Sequence, residues 1–306
     1  MQAIWHWGID MIIGTQAIHN PALDAFFNVV TSLGSKEFFL VLLPFLYWCL
    51  DKGQAQRLAY ILLLSGYSNS ALKGLFALPR PFQFDLRVLK LDLVPAEELG
   101  YGFPSGHSQS AMVVWGYLAG WVRRRWMWAL AASMIAMIAF SRIYLGVHFP
   151  SDVLAGLILG AAWLGLFRWL EPGLVGWLSQ QPMGLQLGLG VIVPVVLLLG
   201  YSSGDAITSA GILIGAGVGI VIERRFVGFS AGGPLWQRAV RLIVGVIILM
   251  ALREGLKVVF PGQGEPLYIL LRAIRYLLVG VWVTLGGPWL FQRFGLASND
   301  LAVGKG

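Results

Sequence analysis

Long stretches of apolar side chains recur along the chain, separated by short clusters of charge, glycine and proline. A helix rises ~1.5 Å per residue, so about 20 residues cross a hydrocarbon layer ~30 Å thick. Nine runs approach that length, near residues 35–50, 55–76, 107–122, 126–146, 151–170, 185–202, 206–222, 236–258 and 268–291. None shows the polar/apolar alternation of a barrel strand, and only helices and closed barrels satisfy their backbone groups inside lipid. The expected fold is therefore all-α, a polytopic transmembrane helical bundle of about nine spans.

The first 34 residues read differently. Trp5, Trp7, Ile9, Ile12 and Ile13 are interleaved with His6 and Asp10, a short and partly amphipathic pattern that predicts an interfacial helix with its tryptophans at headgroup depth. Met1 to Thr15 contains neither Lys nor Arg and no small-residue cleavage site, so a signal-peptide layout is not seen. A stretch rich in Gly, Pro and Gln from Glu171 to Pro182 predicts a boundary between a membrane core at 35–172 and a four-span extension at 183–306. Short basic loops stay in the cytoplasm. Arg123, Arg124 and Arg125, together with Arg224, Arg225, Arg238 and Arg241, accordingly put the loops at 77–106 and 146–150 outside.

Composition supports the membrane reading: 57% of the 306 residues are hydrophobic and 12% are charged, against about 25% charged in soluble domains. The 39 glycines suit helices that approach closely in lipid. Cys49, the lone cysteine, has no internal disulfide partner and reads as a small buried hydrophobe. The net charge of +7 has no soluble domain on which to form a nucleic-acid patch. Anionic lipid and loop orientation account for it, so the expected partners are the bilayer and a lipid substrate, with no nucleic acid.

Three stretches place polar residues where a membrane protein ordinarily avoids them. Lys73, Arg80 and Pro81 close the second run, Pro104-Ser105-Gly106-His107 opens the third, and Ser141, Arg142, His148 and Asp152 join the fourth to the fifth. The charge-derived topology puts all three on one side of the membrane. Together they hold three cations, two imidazoles, serine hydroxyls and a carboxylate, a set that suits a dianionic phosphate. Arginine presents a planar fork to phosphate oxygens, lysine adds a point charge, and a helix start at Ser105 and Gly106 offers free N–H groups. One imidazole attacks phosphorus in its neutral form while the other protonates the departing alkoxide. Asp152, four residues after His148, is placed to orient its ring, with Pro150 setting His148 just before the helix.

These stretches resemble the three signatures of the type 2 phosphatidic acid phosphatase superfamily, K-x6-R-P, P-S-G-H and S-R-x5-H-x3-D, matched at every specified position between residues 73 and 152. The resemblance implies that Lys73, Arg80 and Arg142 bind the phosphate, with Ser105 and Gly106 completing the cradle. It implies His148 as nucleophile, Asp152 as its orienting partner and His107 as general acid, with no metal and no cofactor. Pro81, Pro104 and Ser141 shape the motifs, Ser141 being a weaker candidate for phosphate contact. The activity so implied is hydrolysis of a lipid phosphomonoester or diphosphate, such as undecaprenyl diphosphate, phosphatidic acid or phosphatidylglycerol phosphate. A phosphotransferase using the same residues and a lipid or anion transporter are the alternatives. Lean architecture and short loops point to a bacterial inner (plasma) membrane with the site on its periplasmic side.

The remaining charges are open to bland readings. Arg253, Glu254, Lys257, Arg272 and Arg275, near the outer ends of the last two runs, read as an internal salt-bridge set or as a secondary lipid-headgroup site. Asp85, Asp92, Glu97 and Glu98 read as a solvated lid, and His6 and His19 as interfacial. Gln56, Arg57 and the three arginines from Arg123 to Arg125 read as interface anchors. The motifs say nothing about the job of residues 183–306 or the oligomeric state.

Overall fold

The computed structural model describes residues 2–95, 99–262 and 264–299. Apart from an isolated bridge between Phe229 and Asn299, its secondary structure is helical. The α-helices are α1 (Gln2–Gln16), α2 (Pro21–Ser32), α3 (Lys36–Cys49), α4 (Lys52–Phe76), α5 (Pro81–Phe84), α6 (Gly106–Val122) and α7 (Arg125–Tyr144). They continue as α8 (Pro150–Ser179), α9 (Met183–Gly200), α10 (Gly204–Ile222), α11 (Leu235–Val259), α12 (Tyr268–Val281) and α13 (Gly287–Arg293). A π-helical turn, Glu223–Val227, extends α10, and a second, Trp282–Gly286, joins α12 to α13.

Each of the nine apolar runs forms helix, but the count of spans is lower than expected. Six helical stretches among the described residues are long and apolar enough to cross a membrane, and α2 with α3, bent by 47°, adds a seventh if the pair is one span. The two expected spans outside that count are α6, with 17 residues, and α11, a 25-residue helix with charges near both ends.

By its internal contacts the chain forms two compact units, Met1–Phe39 with Leu64–Leu170, and Leu40–Leu63 with Glu171–Gly306. The first contains all three motifs. In place of one interfacial helix, residues 2–32 form two. Asn20 starts the second by accepting hydrogen bonds from the N–H groups of Ala22 and Leu23, with Pro21 at the first helical position. Both pack on α7. Ile9 and Ile12 of α1 are fully buried with Val88, Ala139, Ile143, Phe149 and Val153, so this helix forms part of the unit's core.

Two further features hold the first unit together. Asn69 Nδ2 donates to Gln109 Oε1 at 2.8 Å, and Gln109 Nε2 donates to Ser65 O and Oγ at 2.9 and 2.7 Å. Polar groups buried between α4 and α6 thus satisfy one another where no solvent would. Helix α8 carries Gly156 and Gly160, a GxxxG face that lets it lie directly on the start of α6. A Cβ on Gly156 would collide with the carbonyl oxygen of Ser105, and one on Gly160 would stand 2.7 Å from that of Gln109.

In the second unit α10 packs between α9 and α12. Trp48 Nε1 and Tyr47 Oη donate to the carbonyls of Val283 and Thr284 in the π-turn, at 2.8 and 3.3 Å. Cys49 is a buried free thiol on the carbonyl of Arg238. Gln56 is buried and accepts from Arg224 at 2.7 Å, and Arg57 pairs with Glu171 at 2.6 Å. Both are therefore internal links and not the interface anchors expected, whereas Arg123, Arg124 and Arg125 are exposed.

The α6–α8 contact makes a direct prediction. Gly156→Leu overfills it and should cost at least about 1–3 kcal/mol, lowering the thermal midpoint in detergent. Gly165→Leu on the same helix meets nothing within 4 Å and should leave the midpoint in place; equal effects would contradict the close approach.

Candidate active site

The three motifs arrive from helix ends. Lys73 occupies the last turn of α4, and Arg80 stands immediately before Pro81, which starts α5. Ser105 caps α6, its hydroxyl oxygen accepting from Ser108 N at 3.4 Å and Ser108 Oγ at 2.9 Å, while its own N–H donates to Asp152 O at 3.0 Å. Arg142 ends α7, and its carbonyl accepts the N–H groups of both Val147 and His148 at 3.2 Å. That winding needs Gly146, whose φ of +73° and contact with the carbonyl of Leu89 leave no room for a side chain. Pro150 then opens α8, and Asp152 in its first turn reaches back to the N–H of Phe149 at 3.0 Å, as a capping-box residue does.

These ends converge on His148, which is 2% exposed. Its Nδ1 lies 3.4 Å from Asp152 Oδ2, and its Nε2 lies 3.2 Å from Arg80 Nη1. Guanidinium is a donor only, so Nε2 has to be the acceptor and Nδ1 carries the proton toward the carboxylate. The lone pair on Nε2 consequently points at the cationic cluster. Burial pushes the His148 imidazole well below its ordinary titration range, and the charges of Arg80, Lys73 and Arg142 push the same way. The ring is neutral near pH 7.

The cations are held firmly. Arg80 donates through Nε to Gly100 O and through Nη1 to Val147 O, at 2.9 and 2.8 Å, and through Nη2 to the carbonyls of Leu99 and Tyr101. Lys73 Nζ donates to the carbonyls of Tyr101 and Gly102. Arg142, 1% exposed, pairs through Nη1 with Asp92 Oδ2 at 2.9 Å and donates to Thr31 Oγ1 at 2.6 Å. His107, in the first turn of α6, lies within electrostatic range of Arg142, Arg80 and Lys73. The Ser141 hydroxyl donates back to Ile138 O at 2.7 Å.

Sequence reasoning missed the part played by the N-terminal helices and by Asp92. Asp92 belongs to no solvated lid: it is buried and ion-paired. Asp85 pairs with the exposed Arg87 at 2.8 Å, and Glu97 and Glu98 lie outside the described residues. His6 stands against the ring of Phe84, and His19 lies 3.4 Å from Asp24.

Comparison with known proteins matches this architecture. The model of the PAP2 superfamily matches residues 54–174, the stretch that contains every motif residue, and that of the PAP2 superfamily phosphatase transmembrane extension matches residues 207–299. The chain belongs to the PAP2 superfamily. Lipid phosphate phosphatase delta of Arabidopsis thaliana is 31% identical over 173 residues, 52% of this chain and 41% of the relative. Sphingosine-1-phosphate phosphatase 1 of Rattus norvegicus is 26% identical over 324 residues, covering 92% of this chain and 74% of the relative. The match thus spans about two fifths of the plant relative's length. Among solved structures, LpxE of Aquifex aeolicus aligns at 27% identity and a TM-score of 0.47, over 52% of this chain and 93% of that one.

With the extension and its apolar helices, this PAP2 protein is a multi-pass membrane protein. The second charged group lies within the extension. Arg253 pairs with the neighbouring Glu254 at 3.1 Å, and Lys257 is exposed. Arg272 donates to Thr208 Oγ1 and Tyr268 Oη and lies over the rings of Tyr268 and Tyr276. Arg275, largely buried, lies over Tyr276. The basic residues engage hydroxyls and aromatic faces more than carboxylates, which differs from the salt-bridge set expected.

The geometry at His148 predicts a spectroscopic signature. Because the folded pKa is depressed, the neutral form persists as the pH falls through ~6.5, the ordinary histidine value. Nitrogen-15 NMR of histidine-labelled protein should show one ring as the neutral Nδ1–H tautomer at pH 6.5, a signal lost in His148→Ala. A protonated ring at that pH would contradict the arrangement.

Proposed function

We propose that this PAP2 protein is an integral membrane lipid phosphatase acting through a phosphohistidine on His148. One observation carries the reading: a buried, neutral imidazole with Asp152 on one ring nitrogen and an arginine 3.2 Å from the other. Phosphate oxygens take donors of Lys73 and Arg142 and the Arg80 Nη1–H that His148 Nε2 gives up as it attacks, the set that suits a charge spread over equatorial oxygens in phosphoryl transfer. The N–H groups at the start of α6, after Ser105 and Gly106, complete the cradle. His148 Nε2 forms a bond to phosphorus as the bond from phosphorus to the lipid oxygen breaks, and His107, protonated once the phosphate dianion offsets the surrounding cations, delivers a proton to that oxygen. Water then attacks the phosphohistidine, giving its proton back to His107, and inorganic phosphate leaves with the P–N bond broken. Asp152 stabilises the cationic ring that the attack creates.

Three side-chain cations supply the charge stabilisation that a metal ion would otherwise give. The reading is accordingly metal- and cofactor-independent. The substrate class is a lipid phosphomonoester or diphosphate, supported by the names of the plant and rat relatives. The site faces the extracytoplasmic side of a plasma or inner membrane under the basic-loop rule. In the extension, Arg272 is proposed as a secondary headgroup contact, since its partner Tyr268 also lines an apolar cavity of about 660 Å³ between α9, α10 and α12.

The test is a panel of lipid mono- and diphosphates incubated with purified protein in excess EDTA, with release of free phosphate measured. Wild type should release it and His148→Ala should not; phosphate found on an acceptor would indicate transfer. Arg80→Ala or Arg142→Ala should lose about 10² to 10³ in turnover, the usual cost of one preorganised donor. His107→Ala should lose most on alkyl leaving groups and recover with an activated phenyl phosphate, which departs unprotonated. Equal losses on both would refute the acid assignment, and Arg272→Gln with unchanged kinetics on every lipid would remove the secondary contact.

A further inference from the structure

We propose that Asp92 is a positioning residue for Arg142, and that α1 and α2 serve the active site by holding the loop that carries it. The inference rests on the phosphatase reading above, and of its residues only Arg142 occupies a fixed position in the three motifs. Asp92 and Arg142 meet at 2.9 Å with both side chains 2% exposed. A buried ion pair of this kind adds little to stability, because desolvation consumes most of the Coulombic gain and a well-packed apolar pair serves as well. What it does supply is direction. Arg142 is a long side chain whose rotamer freedom is worth about 2 kcal/mol, and Asp92 and Thr31 together fix one of its terminal nitrogens. Its Nε is buried without a partner in the protein, a donor oriented by that anchoring and suited to an anion.

The loop around Asp92 is pinned on both sides. Gln16 of α1 donates to Leu89 O at 2.7 Å and Tyr144 O at 3.0 Å, and accepts from Leu89 N at 3.0 Å. Asn28 of α2 donates to Leu91 O at 3.0 Å and accepts from Leu93 N at 3.2 Å, while Leu91 N donates to Leu145 O at 3.1 Å. The remaining carboxylate oxygen of Asp92 accepts from Val94 N at 2.8 Å. Apart from the bond between Gln16 and Tyr144, which ties α1 to α7, each of these contacts crosses from the loop to α1, α2 or the end of α7, or closes the loop on itself. Their common effect is to deliver one carboxylate to one guanidinium at the phosphate site.

A double-mutant cycle on full-length protein in detergent tests the idea through phosphate affinity, measured by calorimetry with inorganic phosphate, alongside kcat and KM on the best lipid of the panel. Asp92→Asn should weaken phosphate binding about tenfold and lower kcat/KM by about 10- to 100-fold, the range seen when a supporting hydrogen bond is lost or a group is displaced by ~1 Å. Thr31→Val should act in the same direction. In an Arg142→Ala background, Asp92→Asn should change phosphate affinity by less than about twofold, because its effect passes through Arg142. Losses that simply add, or phosphate affinity that ignores both substitutions, would overturn the proposal. Absence of phosphate release from every lipid by wild type, with the binding cycle still non-additive, would instead count against the phosphatase reading.

Discussion

The site depends on a single constraint: an imidazole buried among cations has to present an unprotonated nitrogen to them. Arg80 fixes which nitrogen that is, because guanidinium has no acceptor, and the Asp152 carboxylate accepts the Nδ1–H hydrogen bond on the opposite side of the ring. Burial and the neighbouring positive charges keep the ring neutral. The rest of the first unit maintains this relation. Carbonyls from Leu99 to Gly102 hold Arg80 and Lys73, the carbonyl of Arg142 winds the chain into His148, and Gly156 lets α8 bring Asp152 against the start of α6.

Much of this was legible in the sequence because it is local. The interval from His148 to Asp152 is one helical turn, the run from Lys73 to Arg80 bridges a helix end to a capped short helix, and Pro-Ser-Gly-His is a helix start by composition alone. What was not legible joins positions far apart in the chain. Arg142 meets Asp92 fifty residues away and Thr31 more than a hundred away, and Gln16 grips a loop 73 residues on. No periodicity encodes such pairs. Asp92 on its own looked like any other carboxylate in a polar loop, and α1, with tryptophans and a few polar residues, had the composition of an interfacial helix although Ile9 and Ile12 are buried.

Hydropathy likewise sees length and polarity but not partnership. It found every long helix, including α6 and α11, of which one is short and the other charged near both ends. Nor did it divide the chain as its contacts do: residues 40–63 group with 171–306, through bonds such as Trp48 to Val283 and Lys52 to Glu223. Polar residues in such a chain do not mark function by themselves. Asn69, Gln109 and Ser65 form a satisfied internal chain. The charged group around His148 differs in converging on one imidazole.

The central claim is that His148 Nε2 bonds to phosphorus during turnover. Rapid mixing of the protein with a phosphorus-32-labelled lipid phosphate, quenching in alkaline denaturant and mapping of the labelled peptide tests it most directly. The account predicts transient, acid-labile label on His148 that rises within the first turnover and is absent from His148→Ala. Turnover with label on another residue, or with no protein-bound label at any time point, would contradict it.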